Sequence, residues 1–160
     1  MAQARVAVIT GGTRGIGLAL AHTFAAAGYS VTLTGRNESH LKTALSGLAR
    51  HGKQVQATLC DVTDPAAVNA LFLKLKGNYG AIDVLVNNAG VAHPLTDVEQ
   101  LPLETWKEVI DTNLTGTFLV TQAALPLMKH GGTIVNNLSV AATQPFAGMS
   151  AYNASKYGAL

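Results

Sequence analysis

Tyr152 and Lys156 stand four residues apart in Tyr152-Asn153-Ala154-Ser155-Lys156. On a helix that spacing puts both side chains on one face. A free phenol titrates near ~10, and an ammonium beside it favours the phenolate and lowers that value. The pair can then act as a general acid/base near neutral pH. Such a pair also arises by chance, so its surroundings decide. Upstream, Ser139 closes the run Thr133-Ile134-Val135-Asn136-Asn137-Leu138, where its hydroxyl can donate to an oxygen on which charge builds. No histidine base or G-x-S-x-G turn marks Ser139 as a nucleophile. Asn113, midway along an apolar helical stretch, needs a partner if buried. A structural hydrogen bond is what that residue alone suggests.

A second set lies at the N-terminal end, in Val6-Ala7-Val8-Ile9-Thr10-Gly11-Gly12-Thr13-Arg14-Gly15-Ile16-Gly17. Gly11, Gly15 and Gly17, with Thr13, Arg14 and Ile16 among them, sit between a strand pattern and a helix pattern. Glycine there permits positive φ and close backbone approach. The helix start offers unpaired N–H groups and the positive end of a dipole, which suits a pyrophosphate. A plain tight turn is the alternative. An NAD-reading fold usually places an acid about 20 residues further on, against the ribose 2′-OH. Here Thr34-Gly35-Arg36 occupies that place. An arginine suits a 2′-phosphate through a charge-assisted fork, and Arg14 approaches the same spot. Together they favour NADP(H) over NAD(H), the alternative being two solvated charges. Asp61 could accept from an adenine amino group with Val62 against the ring, or simply form a turn. Asn87-Asn88-Ala89-Gly90 is small and polar where backbone must pass a ligand, the alternative being asparagines that only tie the loop to the sheet.

The elements that would hold these residues alternate. Strands are predicted over Arg5–Thr10, Ser30–Thr34, Gln54–Cys60, Ile82–Val86 and Thr133–Leu138. Between them run helices whose apolar positions are Ile16, Leu20 and Phe24; Leu41, Leu45 and Leu48; and Val68, Leu71, Phe72 and Leu75. Asp64-Pro65 is a helix start. A long helix is predicted from about Leu103 to Lys129, with Trp106, Ile110, Leu114 and Phe118 on one face, and a last helix from near Ser150. This alternation implies one α/β domain over 1–160, a doubly wound parallel sheet in the order 3-2-1-4-5 with helices on both faces. In such sheets ligands sit outside the carboxyl ends of the strands. Gly11, Arg36, Asp61, Asn87 and Ser139 all fall just past predicted strand ends.

Composition narrows the classes. Apolar residues make up 48% and charged residues 12% of the 160, which fits a well-buried core. The net charge is +2, with no basic stripe, so nucleic acid is not an indicated partner. The single cysteine, Cys60, excludes an intrachain disulfide and reads as a core residue in a reducing compartment. The histidines have no ligand spacing, and no metal site is expected. No apolar run is long enough to span a membrane, and only Met-Ala-Gln-Ala precedes the first strand. A cytoplasmic protein is the resulting expectation.

Taken together, Thr10 to Gly17, Asp61-Val62, Asn87 to Gly90, Asn113, Ser139 and Tyr152 to Lys156 resemble the short-chain dehydrogenase/reductase family, in order and spacing, over the whole chain. The nearest flavour is its 3-oxoacyl-carrier-protein reductase-like branch. The resemblance implies Tyr152 as general acid/base, and Lys156 as the residue that binds the nicotinamide ribose and lowers the tyrosine pKa. It implies Ser139 as the group that orients a carbonyl or alcohol, and Asn113 as the holder of a water in a proton relay. It implies hydride transfer between NADP(H) and a small carbonyl or secondary alcohol. Homodimers or homotetramers packed through the helices carrying Trp106 to Lys129 and Tyr152 onward are implied as well. Another activity of the family, such as epimerisation or dehydration, or a non-catalytic NADP-binding sensor or subunit, remains open. Family chains continue past this lysine through further strands. These 160 residues are therefore expected to be a fragment or a truncated form, with a bare last strand, prone to aggregate and inactive alone.

Overall fold

The computed structural model describes residues 4–160, apart from the side chains at 129 and 130. Five strands form one parallel sheet in the order β3-β2-β1-β4-β5, with β1 Val6–Ile9, β2 Ser30–Gly35, β3 Val55–Leu59, β4 Ile82–Asn87 and β5 Met128–Asn136. The sheet is the doubly wound arrangement expected from the alternating pattern. β1 lies at its centre: Val8 pairs with Thr32 on one side and Leu85 on the other. Its alternation divides the core. Val6 and Val8 pack with Val68, Leu71, Phe72 and Leu75, while Ala7 and Ile9 pack with Ala21, Leu33, Leu41 and Ala44. A strand buried on both faces has no polar side, which is why Val6-Ala7-Val8-Ile9 reads as an unbroken apolar run. Each fully buried aliphatic side chain contributes about 1.5–3 kcal/mol.

The helices are α1 Gly15–Ala26, α2 Glu38–Gly47, α3 Pro65–Tyr79, α4 Leu103–Ile110, α5 Gly116–Ala124 and α6 Ser150–Gly158. The start of α3 is as expected: the Asp64 carboxylate accepts from Ala66 N at 2.8 Å, Pro65 opens the helix, and Gly80 at φ 74° stops it. α1 differs from its pattern. Its fully buried residues are Gly17, Ala21 and Ala25; Leu20 and Phe24 are partly buried against the same core, and Ile16 is exposed. The helix lies so close to the sheet that small residues form the contact, and the larger ones flank it.

The single helix expected over Leu103 to Lys129 is also corrected. It comprises α4, a π-helical turn at Asp111–Thr115, α5 and a short 3-10 turn at Leu125–Leu127, after which Met128 is already strand. Pro126 cannot donate to a continuing helix. The π turn re-phases the helix, so that Thr112, Asn113, Gly116, Val120 and Ala124 are buried. Phe118, grouped by its spacing with Trp106, Ile110 and Leu114 on one face, is 58% exposed. β5 begins earlier than the predicted Thr133, because Met128 pairs with Ile82 before an irregularity restores Thr133 opposite Val84.

Candidate active site

Four strand ends and the start of α1 enclose an open cleft of about 650 Å³. Gly11, at φ 62°, makes the turn out of β1, and a Cβ there would lie 2.9 Å from Ala89 Cα. On Gly17 a Cβ would strike the Gly11 carbonyl and come within 2.5 Å of Asn88 Nδ2. The close approach of backbone to backbone therefore requires glycine at both positions. The turn is fastened from β4. Asn88 Nδ2 donates to Thr10 O at 2.9 Å and Gly11 O at 3.0 Å, while Thr10 Oγ1 accepts from the Asn88 and Ala89 N–H groups at 3.0 Å each. No side chain caps α1, whose first turn opens on the cleft at Arg14, Gly15, Ile16 and Gly17. Ile16 stays 61% exposed although apolar, with its side chain on the cleft rim.

Arg14 and Arg36 both line the cleft, as do Thr13, Asp61, Val62, Ala89 and Gly90. Thr13 packs against the chain at Gly35, where a Cβ would meet its Cγ2 at 2.7 Å. Arg36 makes one long ion pair, 3.5 Å to Glu108, with the two side chains 59% and 54% exposed. So weak a surface pair leaves the guanidinium available to another anion. One oxygen of Asp61 is committed to a turn, accepting from Thr63 N at 2.9 Å and Thr63 Oγ1 at 2.8 Å. The turn-forming alternative for Asp61 is thus present, and its carboxylate still lines the cleft. Asn87 is not among the residues that line the cleft; its amide donates to Thr121 Oγ1 and Asn136 Oδ1, both at 2.9 Å. The alternation of β4 turns it to the α5 side of the sheet, so Asn88 presents its amide to the turn instead.

At the other end of the cleft, Gly90 brings two expected catalytic residues together. A Cβ on it would sit 3.2 Å from Asn113 Oδ1 and 3.8 Å from Lys156 Nζ. Asn113 is 2% exposed, and its amide grips Val91 twice, accepting from N at 2.8 Å and donating to O at 2.9 Å. Its other donor reaches Ser155 Oγ at 3.0 Å. The structural hydrogen bonding that its position suggested is present, and it ties the π turn, the β4 loop and α6 into one unit. Lys156, 7% exposed, donates to Asn137 O at 2.9 Å, and burial pushes its pKa below the ordinary lysine value. Its Nζ lies 5.7 Å from the centre of the Tyr152 ring, on the shared helix face. Ser139 Oγ accepts from Ala141 N at 3.2 Å, which leaves its own hydrogen to donate elsewhere.

Asn137 and His93 had no role in the motif reading; Thr10 and Ser155 stood in its motifs without a role, and Asn88 ties the loop to the sheet, as one alternative for its asparagines had it. Asparagines immediately after two apolar strands were the available signal for Asn88 and Asn137. His93 is buried; its Nδ1 donates to Pro94 O at 2.7 Å, and its Nε2 has no hydrogen-bond partner. Among the described residues no three His, Cys, Asp or Glu side chains gather as a metal site, and no helix is long and apolar enough to cross a membrane.

A family model for short chain dehydrogenases matches residues 5–160. Among curated proteins, a 3beta-hydroxysteroid dehydrogenase of Mediterraneibacter gnavus is 38% identical, over 96% of this chain and 56% of its own. A 3-oxoacyl-[acyl-carrier-protein] reductase of Escherichia coli is 34% identical, over 98% and 63%. Among solved structures, an actinorhodin polyketide ketoreductase with NADPH superposes with a TM-score of 0.91 at 36% identity, covering 99% of this chain and 63% of that one. A metagenomic short-chain oxidoreductase in complex with NADP gives 0.88 at 33% identity, covering 96% and 71%. The chain thus spans little more than half the length of these curated relatives.

Proposed function

The chain belongs to the short-chain dehydrogenase family, and from that premise we propose that the protein is an NADP(H)-dependent oxidoreductase interconverting a carbonyl and a secondary alcohol. The observation that carries this reading is the meeting at Gly90. Gly90 lines the cleft, and Asn113 Oδ1 and Lys156 Nζ lie 3.2 and 3.8 Å from where its Cβ would be, so a dinucleotide extended along the cleft past Gly90 would bring its far end toward the lysine. The cleft suits such a group. The first turn of α1 has no side-chain cap, glycines admit close backbone approach, and two cleft arginines offer charge for a 2′-phosphate. The solved relatives containing NADPH and NADP support the same choice of cofactor.

When bound, NADPH would supply the hydride. The protein's own residues would handle the proton and the oxygen. Tyr152 would donate its phenolic proton to the carbonyl oxygen. Lys156, held by Asn137 O, would place positive charge near the phenol and offset the cost of the phenolate. Ser139 would donate its remaining hydrogen to the same oxygen. Asn113 would hold the loop at Val91 and keep one lone pair of Oδ1 for a water on a proton path. Arg14, Arg36, Thr13, Asp61, Val62 and Ala89 would line the adenosine and phosphate half. Assembly into dimers or tetramers through α4, α5 and α6 belongs to the same proposal.

Tyr152→Phe tests it. NADPH binding by fluorescence titration is expected to persist, while kcat for NADPH oxidation against a carbonyl panel falls about 100-fold or more, the worth of general acid catalysis. Retention of over about a tenth of kcat would sink the role of Tyr152.

A further inference from the structure

Asn137 connects the two ends of the cleft. Its side-chain Nδ2 donates to Asn88 Oδ1 at 2.8 Å. Asn88 has already spent its own Nδ2 on the Thr10 and Gly11 carbonyls, so its oxygen must be the end that accepts. The Asn137 N–H donates to Asn87 O at 2.8 Å, one residue beyond the β5 register partner Asn136. Its carbonyl then receives Lys156 Nζ at 2.9 Å. One residue thus holds the asparagine that clasps the glycine turn and supplies the acceptor for the buried lysine. Only the first task needs the amide side chain; the second uses a main-chain carbonyl that any residue would supply. An apolar residue at 137 would continue the sheet equally well, leaving Asn88 Oδ1 without this donor.

We propose that Asn137 is a positioning residue that couples the glycine turn to Lys156, so that a phosphate bound at the turn sets the orientation of the lysine through Asn88 and Asn137. The proposal rests on reading the cleft as a nucleotide site. Phosphate drawn against the N–H groups of the turn reorders peptides whose carbonyls Asn88 holds. The reordering passes to Asn137 by its side chain and to Lys156 by its main chain. The turn, Asn88, Asn137 and Lys156 form one connected chain of hydrogen bonds, the path along which such a bias would travel. In catalysis this places the lysine when cofactor is present.

Adenosine 2′,5′-bisphosphate separates the two ends, because it has no nicotinamide half with which to touch Lys156. The readout is the Lys156 resonance in protein carrying 13Cε-labelled lysine, assigned by its loss in Lys156→Arg, with affinity measured by calorimetry in parallel. In the wild type, saturating bisphosphate is expected to shift the Lys156 resonance. In Asn137→Leu the shift is lost, and the bisphosphate binds roughly 5-fold more weakly, at the low end of typical coupling between sites. Asn137→Ser, which also lacks the amide, gives a second variant should leucine prevent folding, and the wild-type measurement stands without either. Saturable binding with an unmoved Lys156 resonance would overturn the coupling alone, as would a shift preserved in both variants. Absence of saturable binding would overturn the nucleotide reading of the cleft and the coupling with it.

Discussion

Gly17 sits where the glycine turn, the β4 clamp and α1 converge, so Gly17→Ala probes all three. The added methyl would overlap the Gly11 carbonyl and lie 2.5 Å from Asn88 Nδ2. Neither neighbour is the free end of a flexible chain: one is backbone, and the other is pinned by bonds of 2.9 and 3.0 Å to Thr10 O and Gly11 O. Overpacking of this kind costs about 1–3 kcal/mol. Displacing Asn88 loses two hydrogen bonds at about 0.5–1.5 kcal/mol each. Alanine in a helix returns about 1 kcal/mol relative to glycine. The balance is a destabilisation of roughly 1–5 kcal/mol, centred near 3. The control is Gly77→Ala in α3, where a Cβ meets nothing within 4 Å. The same chemical change there is expected to stabilise by about 0.5–1 kcal/mol. Urea unfolding followed by circular dichroism measures both. A Gly17→Ala protein as stable as wild type, or a Gly77→Ala protein less stable than Gly17→Ala, would refute the claim that close approach at the turn is what demands glycine.

Arg36→Asp is expected to swing the ratio of kcat/KM from NADPH toward NADH by about 10- to 100-fold, because a charge-assisted contact worth about 1.5–3 kcal/mol is removed. A ratio that stays put in steady-state assays would reduce Arg36 to the partner of Glu108. Burial, with Asp61 and Asp64 adding to it, pushes the Cys60 thiol up to about 11 from 9.0. The folded pKa is raised, so the folded thiol stays protonated where the unfolded one ionises, and Cys60 makes stability fall as pH rises from 9.0 toward 11. Lys156 acts the other way, since its lowered pKa costs stability while it is charged, and that cost is relieved as pH rises toward the ordinary lysine value of 10.5. In the native protein at pH 8, Cys60 should react with iodoacetamide about 100-fold more slowly than a free thiol on ionisation alone, and reaction at the unfolded rate would contradict its burial. Ile134 and Val135, 37% and 43% exposed on β5, leave that strand poorly covered. Residues 1–160 expressed alone should therefore self-associate in light scattering, and Val135→Lys should reduce it; a monodisperse wild-type species would show the edge to be harmless.

Much of this fold follows from local pattern. Val6 to Ile9 is apolar at every position because both sides of β1 are covered, and that is visible as a run. Asp64-Pro65 marks a helix start through its own hydrogen bond and fixed φ, needing no distant partner. The glycine turn, the arginines past β1 and β2, and the Tyr152–Lys156 spacing are likewise local facts, and they sufficed to suggest the family and the cleft. What failed to show was whatever depends on how closely two elements approach. The α1 contact uses Gly17, Ala21 and Ala25 because the helix rests on the sheet, and periodicity alone favoured the larger Ile16, Leu20 and Phe24. The π turn at Asp111–Thr115 leaves no mark in apolar spacing, yet it decides that Asn113 is buried and that Phe118 is not. The difference between Asn87 and Asn88 is a matter of strand alternation, with one amide given to Thr121 and the other to the turn. Residue types and spacing therefore determined which groups this protein has for chemistry and which strand ends carry them. The packing of β5 beside β4 and of α6 against the π turn decided which groups meet, because Asn88, Asn137 and Lys156 are 49 and 19 residues apart in sequence. Contacts across such separations come from sheet order and helix phase.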